Sequence, residues 1–446
     1  MSASKFEIEV GEEMVAGFAK KGLAQVRAST TRDRGEGPFG RLVLRGATVI
    51  DGTGAPPFGP ADIVIEDGRI AELAVVGVPH KPVNPDRRPA RGDREIDCHG
   101  KYVSPGFIDS HAHIGTPFHA ENGEMLPADY IYKLWLAHGV TSVRETGCMN
   151  GLAWTCEQKA ATEANRIAAP HLYPYVYFPA VNDHLKTIYR PDDGREWLRQ
   201  ARDKGAEGVK FFGAPPAIMQ AALDECAKLG LRTCCHHAQL TVMRARRAEW
   251  HGSYTDSTTW KYFQPQRGGH GAYFYRWSVK NEVEWRETYR IFMHFLNDYK
   301  NLGGRVCPGS DSGFMYQIYG FGYVRELELL QEAGFLPMEV LRAGTSHAAD
   351  LLGIGEEAGV LEVGRRADVL VHRENPLADF KLLYGTGATR LNDELGAVEQ
   401  KRALEYTIRS GVVFDVDELL GDVRAMVAAT WKNGETPYAR ATEPSK

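Results

Sequence analysis

The alternation of hydrophobic and polar positions near both ends of the chain predicts short β-strands. From Arg41 to Val103, runs such as "RLVLRGATVIDGTG" and "ADIVIEDGRIAELAVV" are interrupted by glycine and aspartate. Similar runs return in residues 359–376 and 405–416. A period of two is typical of half-buried strands, and Gly and Asp favour the turns between them. We therefore predict a composite β-sandwich that residues 41–103 and 355–416 build together.

The middle of the chain has a different pattern, in which apolar strand-like runs alternate with helical ones. The predicted strands that follow the first one are residues 140–145, 172–178, 208–212, 231–235 and 305–310. Strands that alternate with helices predict parallel β/α units. Residues 104–354 number 251, close to the roughly 250 residues of a (β/α)8 TIM-type barrel. An open doubly wound sheet is the alternative, but it usually carries a Gly-rich turn after its first strand.

The remaining residues lie outside these two units. Residues 1–40 are interpreted as an N-terminal extension that ends in a polar, Gly-rich linker, and residues 417–446 as a C-terminal tail. The first residues lack the apolar core of a secretion signal. The seven cysteines are scattered and odd in number, which favours reduced thiols and a cytoplasmic location.

Composition limits the possible partners. The chain is 43% hydrophobic and 25% charged, with a formal net charge of −5. No basic surface for nucleic acid is indicated, and no apolar run approaches the roughly 20 residues of a membrane span. We expect a small-molecule substrate, no nucleic acid or membrane partner, and a homo-oligomer.

The stretch "FIDSHAHIG", residues 107–115, introduces the candidate chemistry. Residues i and i+2 of a strand point to the same face, so His111 and His113 would aim their imidazoles at one point. With 15 histidines in the chain, about 0.5 such pairs arise by chance, so the pair alone is a weak signal for a metal.

Other chemically active residues also fall at predicted strand ends, where barrel enzymes carry their active residues. Lys210 lies in "GVKFFGAPP", His236 and His237 follow the strand "LRTCC", and Asp311 lies in "PGSDSGF". A lysine that forms a salt bridge in the barrel mouth is the alternative interpretation of Lys210.

These motifs resemble the amidohydrolase superfamily, whose members are metal-dependent hydrolases on a (β/α)8 barrel with a composite β-sandwich. The resemblance rests on "PGFIDSHAHIG", Lys210, "HHA" and "GSDSG", and on the flanking segments "ATVIDGTG" and "TSHAADLLGI". It extends from about Arg41 to Val416 and is nearest to the imidazolonepropionase-like and prolidase-like branch.

The resemblance implies a role for each matched residue. His111 and His113 would bind the more buried metal, and His237 would be the ligand of the fifth strand. Lys210 would react with carbon dioxide to give a carbamate that bridges two metals. Asp311 would bind metal and accept the proton of the attacking water. The implied cofactors are one or two divalent ions, zinc by preference.

The sequence departs from the family between strands five and eight. Only 40 residues separate Ala238 and Trp277, inclusive, although one β/α unit usually needs about 30. The barrel is therefore predicted to be shortened at strands six and seven, with at least one unit missing from residues 238–278. His251 and His270 are the candidates for the missing sixth-strand ligand, with His236 a further possible substrate contact.

The function that this sequence favours is hydrolysis of an amide-like C–N bond, in an N-acyl amino acid, a dipeptide or a cyclic amide. Asp311 would be the general base. Two alternatives stay open: a deaminase on the same scaffold, and a catalytically impaired relative that acts as a binding or assembly protein. Lys210 argues against the deaminase, because deaminases of this superfamily usually hold one metal without such a lysine.

Overall fold

The computed structural model describes residues 10–179, 188–212, 214–235, 253–262, 276–313 and 317–431. The helices, labelled α1 to α11 in chain order, are Glu13–Lys20, Ala128–Ala137, Leu152–Glu163, Pro191–Asp203, Pro216–Leu229, Ser257–Tyr262, Val279–Asn301, Phe321–Glu332, Pro337–Gly344, Ser346–Leu352 and Val416–Thr430. No helix within these residues is long and apolar enough to cross a membrane.

A parallel sheet of five strands forms the centre of the fold. Its strands, β6 to β10, are Phe107–Ala112, Val140–Gly147, His171–Tyr177, Gly208–Phe211 and Arg232–Cys235. They lie in the order of the sequence, with each strand parallel to the next. The connections contain α2, α3, α4 and α5, as predicted from the alternation of strand and helix patterns. This sheet is a curled parallel half-barrel within a mixed α/β fold.

A second sheet joins strands from both ends of the chain. Its members, β1 to β5, β11, β14 and β15, are Leu42–Val49, Phe58–Glu66, Arg69–Val75, Arg94–Asp97, Tyr102–Pro105, Val369–His372, Leu404–Arg409 and Val412–Asp415. The order is β15-β14-β11-β5-β1-β2-β3, and β4 also pairs with β1. The two chain ends meet where β11 pairs antiparallel with β5. A separate hairpin contains β12, Ala388–Asn392, and β13, Ala397–Lys401.

The segment predicted as the last barrel strand, residues 305–310, is not a regular strand. Pro308 has no N–H to donate, which weakens any ladder in which it takes part. The chain nevertheless runs beside β6. The Ser110 amide donates to the Pro308 carbonyl at 3.1 Å, and the His113 amide donates to the Ser312 carbonyl at 3.0 Å. The segment therefore reaches the edge of the half-barrel where a closing strand would lie.

Both terminal segments pack against the half-barrel. In the segment predicted as extension and linker, the Val26 amide donates to Asn150 Oδ1 at 2.9 Å, and Trp197 Nε1 donates to Glu13 at 2.6 Å. The segment predicted as a C-terminal tail contains α11, whose apolar side packs against α2. The domain boundaries themselves stay a prediction, as does the β-sandwich.

Candidate metal centre

Strand β6 ends at the carboxyl edge of the half-barrel, and there it presents two histidines. His111 is the fifth residue of β6, and His113 follows the strand's end. Their ring centres are 5.6 Å apart. Nε2 of His111 lies 3.5 Å from Asp311 Oδ1, and Nε2 of His113 lies 3.2 Å from the same oxygen. Potential ligand atoms of these three residues lie within 4.8 Å of one another.

The backbone around Asp311 is held against β6. The Asp311 amide donates to the His111 carbonyl at 2.7 Å. Asp311 has φ of +51°, a left-handed conformation that aspartate tolerates better than most residues. At Gly309 an added Cβ would lie 2.8 Å from the Cβ of His111. Glycine at this position therefore allows the close approach that brings Asp311 to the two imidazoles.

The electrostatics of the three residues favour a bound cation. Burial alone would raise the pKa of Asp311, but the hydrogen bond and charge of His113, with the charge of His111, lower this pKa to about 2. Burial would lower the pKa of His113, but Asp311 and Glu145 outweigh burial and raise this pKa to about 9. Burial holds the pKa of His111 well below its usual value. A charged carboxylate thus faces one neutral imidazole and one that carries a proton in the metal-free protein, and a divalent metal would displace that proton.

Glu145, which the sequence analysis treated only as the end of a strand, supports His113 from behind. Its Oε1 lies 3.6 Å from Nδ1 of His113, and its other oxygen accepts a hydrogen bond from the Ile114 amide. The register of the parallel strands, in which Ala112 pairs with Glu145, creates this proximity. A carboxylate behind a ligating histidine fixes the ring orientation and makes the ligand nitrogen more basic. The position of Glu145 at the carboxyl end of the neighbouring strand was the signal available in the sequence.

Asp109 is a second residue that the sequence analysis missed. It is fully buried, and its Oδ1 accepts from the amides of Ser310, at 3.0 Å, and His111, at 3.3 Å. Ser310 also donates its hydroxyl to Asp109. This carboxyl group therefore ties the segment that carries Asp311 to β6. Its position two residues before His111 places it in the same stretch of sequence as the histidine pair.

Lys210 lies in the interior of the half-barrel, in β9. Its residue is 2% exposed, and in the strand register it pairs with Tyr177 on one side and Cys234 on the other. Burial lowers its pKa, although the nearby Cys234 and Asp311 oppose the shift. No carboxylate of the described residues lies within 4.0 Å of its Nζ. Lys210 therefore forms no salt bridge with the described residues, although it is buried.

Four other predicted site residues, His236, His237, His251 and His270, lie outside the described residues. Most of residues 238–278 lies outside them as well, so the prediction of a missing β/α unit stays a prediction. The described set that fits a metal is His111, His113 and Asp311. Two imidazoles and one carboxylate are sufficient protein ligands for a catalytic zinc-type site.

Comparison with known proteins gives a consistent assignment. The profile of the Amidohydrolase family matches residues 293–413. The chain is 26% identical to imidazolonepropionase of Vibrio cholerae serotype O1, across 75% of this chain and 91% of that protein. It is 29% identical over 199 residues to N-acyl-D-aspartate deacylase of Alcaligenes xylosoxydans xylosoxydans, across 42% of this chain and 35% of that protein. The chain thus spans about a third of the length of the deacylase it matches.

A solved structure shares the fold. The crystal structure of a putative prolidase from Bifidobacterium longum superposes with a TM-score of 0.59 and 21% identity, and the match covers 86% of this chain and 98% of that one. The family profile and the curated relatives point to one family, and this fold agrees with them. The chain is thus similar to the Amidohydrolase family over residues 293–413 and to imidazolonepropionase over most of its length.

Proposed function

We propose that the protein is a metal-dependent hydrolase of amide-like C–N bonds. The observation that carries the proposal is the convergence of His111, His113 and Asp311 on one point at the carboxyl edge of the half-barrel. Relatives named as an N-acyl-D-aspartate deacylase and an imidazolonepropionase support it. The proposed substrates are N-acyl amino acids, dipeptides and cyclic amides.

In this proposal His111, His113 and Asp311 hold a divalent ion, zinc by preference. A divalent metal lowers the pKa of water and polarises a carbonyl group. The side chain of Asp311 is 35% exposed, so a small molecule can reach its carboxylate. Asp311 accepts a proton from the attacking water and donates it to the leaving nitrogen. The sum of the steps is amide plus water giving carboxylic acid plus amine.

Lys210 is proposed to bind a second metal as a carbamate. A neutral amine attacks carbon dioxide, forms an N–C bond and releases a proton. Its buried position and lowered pKa increase the neutral fraction of Lys210. His237 is proposed as the fifth-strand ligand, and His236, His251 and His270 as further candidates for the metal or the substrate.

The proposal includes the whole architecture predicted from the sequence. Residues 104–354 would form a (β/α)8 TIM-type barrel, shortened at strands six and seven. Residues 41–103 and 355–416 would form the composite β-sandwich beside it. A cytoplasmic location and a homo-oligomeric state belong to the same proposal and rest on the sequence alone.

The test is a hydrolysis screen of N-acyl amino acids, dipeptides and lactams with zinc-loaded protein, combined with elemental analysis. The double variant His111→Asn/His113→Asn should lose its bound metal and its turnover. The matched control is His80→Asn, an exposed histidine with φ of +61°, which should keep both. Full metal content in the double variant would place the metal elsewhere. Metal-loaded protein that hydrolyses none of these compounds would contradict the proposed reaction.

A further inference from the structure

A cavity of about 600 Å³ lies in the half-barrel beneath the metal centre. Its described lining includes His111 and Gly309 at one end and three arginines, Arg144, Arg232 and Arg305. Small-molecule sites usually enclose about 300–1,000 Å³, so the cavity has the size of a binding site.

The three arginines are arranged from the surface inward. Arg232 is the first residue of β10, and Arg305 precedes the segment that runs along β6, so both lie towards the amino-terminal side of the sheet. Both are exposed. Arg144 lies within β7 and is only 7% exposed. Two exposed guanidinium groups at the mouth and one buried group inside attract and guide an anion.

Arg144 is the most buried of the three, and its hydrogen bond and charge lower the pKa of the Tyr175 hydroxyl against the effect of burial. Its buried Nε has no hydrogen-bond partner among the described atoms. Its guanidinium carbon lies 5.2 Å from the centre of the Tyr175 ring. No carboxylate of the described residues lies within 4.0 Å of it. Because an isolated buried charge is costly, this arginine favours a bound anion as its partner.

The positive charges of the other two arginines are at most partly balanced by neighbouring groups. Arg305 pairs with Asp350 at 3.0 Å, and Arg232 donates to the Leu351 carbonyl at 3.0 Å. The other carboxyl group in the lining belongs to Glu326, and burial with the nearby Asp109 raises its pKa to about 8. At neutral pH the described lining therefore carries more positive than negative charge.

We propose that this cavity binds a small oxyanion, a carboxylate or phosphate group, with Arg144 as its innermost ligand. Guanidinium groups present paired N–H donors that match the oxygens of both anions. The anion can be a free small molecule or the carboxylate of a substrate held at the metal centre. The second source alone rests on the proposed function, whereas the site itself does not.

The test measures binding of inorganic phosphate by titration calorimetry, without turnover. Because phosphate also ligates metals, the titration is run on the protein as purified and again after treatment with a chelator. We expect binding in both, weakened about tenfold or more by Arg144→Met and less by Arg144→Lys, since a hydrogen bond to a charged group makes about that difference. Arg232→Met at the mouth should give a smaller loss.

Arg286→Met, on the exposed face of α7 and paired there with Glu282, is the matched control and should bind phosphate as the wild type does. Near-UV circular dichroism confirms that each variant is folded. Folding of Arg144→Met is expected because removing Arg144 leaves no buried carboxylate without its partner. The proposal would be overturned if phosphate did not bind at millimolar concentration, or if the wild type and Arg144→Met bound it with equal affinity. It would also be overturned if phosphate binding disappeared after treatment with the chelator.

Kinetics distinguish the two sources of the anion. If the substrate supplies it, phosphate competes with N-acetyl-L-alanine, and Arg144→Met raises the KM for this compound but not for N-acetyl-L-alaninamide. If a free anion occupies the site, phosphate binds without changing either KM. Both results support the site. If neither compound is hydrolysed, the phosphate titration still decides whether the cavity binds an oxyanion, and the hydrolysis screen decides the proposed function.

Discussion

Both sheets of the molecule bury charged side chains, but they differ in whether those side chains have partners of opposite charge. In the eight-stranded sheet, Asp62 is fully buried and lies 2.8 Å from Nη1 of Arg45. Its other oxygen accepts from the Gly46 amide at 2.8 Å, and Arg45 also contacts Glu95 at 2.5 Å. In the half-barrel, Lys210 and Arg144 are equally buried, yet no carboxylate of the described residues lies within 4.0 Å of either.

The contrast separates structural charges from functional ones. A buried ion pair is tolerated when each charge has its partner and its hydrogen bonds, whereas a lone buried charge costs several kcal/mol. Lone charges therefore persist where a ligand or a chemical step uses them. Among the described residues, Lys210 and Arg144 lie around the carboxyl edge of β6 and the cavity below it, whereas Arg409 of β14, which is also buried without a carboxylate partner, donates to the Thr162 carbonyl and to Asn165. The predictions that follow test that division.

The largest effect is expected from Asp311→Asn. The amide keeps the size of the side chain and one oxygen but cannot act as a base. Turnover should fall by about 10²–10⁴-fold, the usual contribution of a positioned general base. The measurement is kcat on whichever amide the screen identifies, with metal content as the control for ligand loss. Near-normal turnover would move the base to another residue.

In the paired region the corresponding change affects stability. Asp62→Ala removes one partner of a buried ion pair and should lower the free energy of unfolding by about 3 kcal/mol. The loss should stay near this value because Glu95 still contacts Arg45. Urea denaturation measures it, with Asp86→Ala at an exposed position as the control. A change as small as that of the control would mean that Asp62 and Arg45 are not a structural pair.

The sequence predicts much of the half-barrel because its strands and helices are local patterns. The spacing of His111 and His113 likewise gives their shared face without any tertiary information. Glu145 was missed because its role depends on the pairing of β7 with β6. The prediction of a strand at residues 305–310 was wrong, because the apolar pattern gives no weight to the missing N–H of Pro308. What depends on strand register was therefore beyond the sequence.

His138 extends the comparison to a buried titratable side chain whose hydrogen bonds stabilise its neutral form. It is fully buried; Nδ1 lies 2.7 Å from the Leu134 carbonyl, and Nε2 accepts from the Gly385 amide at 3.0 Å. Burial lowers its pKa to about 4, although the Leu134 carbonyl opposes the shift. Because the unfolded chain takes up this proton near pH 6.5, stability is complete above that pH and is lost as pH falls from 6.5 through 4.

The expected loss is about 3 kcal/mol, since one pKa unit corresponds to about 1.4 kcal/mol. The free energy of unfolding is measured at pH values from 7 to 4 for the wild type and for His138→Gln. The variant should be less stable at pH 7 but should lose less stability on acidification. The exposed His80→Asn should retain the slope of the wild type. Identical slopes in the wild type and His138→Gln would contradict the assignment.

The smallest expected change in stability comes from Lys210→Met, and it tests the contrast most directly. In the metal-free protein, this substitution removes a buried amine that has no carboxylate partner among the described residues and replaces it with an apolar chain of similar length. The free energy of unfolding should therefore stay the same or rise by about 1 kcal/mol, opposite in sign to the effect of Asp62→Ala. Turnover should nevertheless be lost, because methionine cannot form a carbamate.

Partial recovery with a small carboxylic acid in Lys210→Ala would support a carboxylate-like role for this side chain, and intact mass should show one added carbon dioxide on the wild type. A loss of several kcal/mol in Lys210→Met with normal turnover would instead make Lys210 a structural residue and erase the difference between the two sheets.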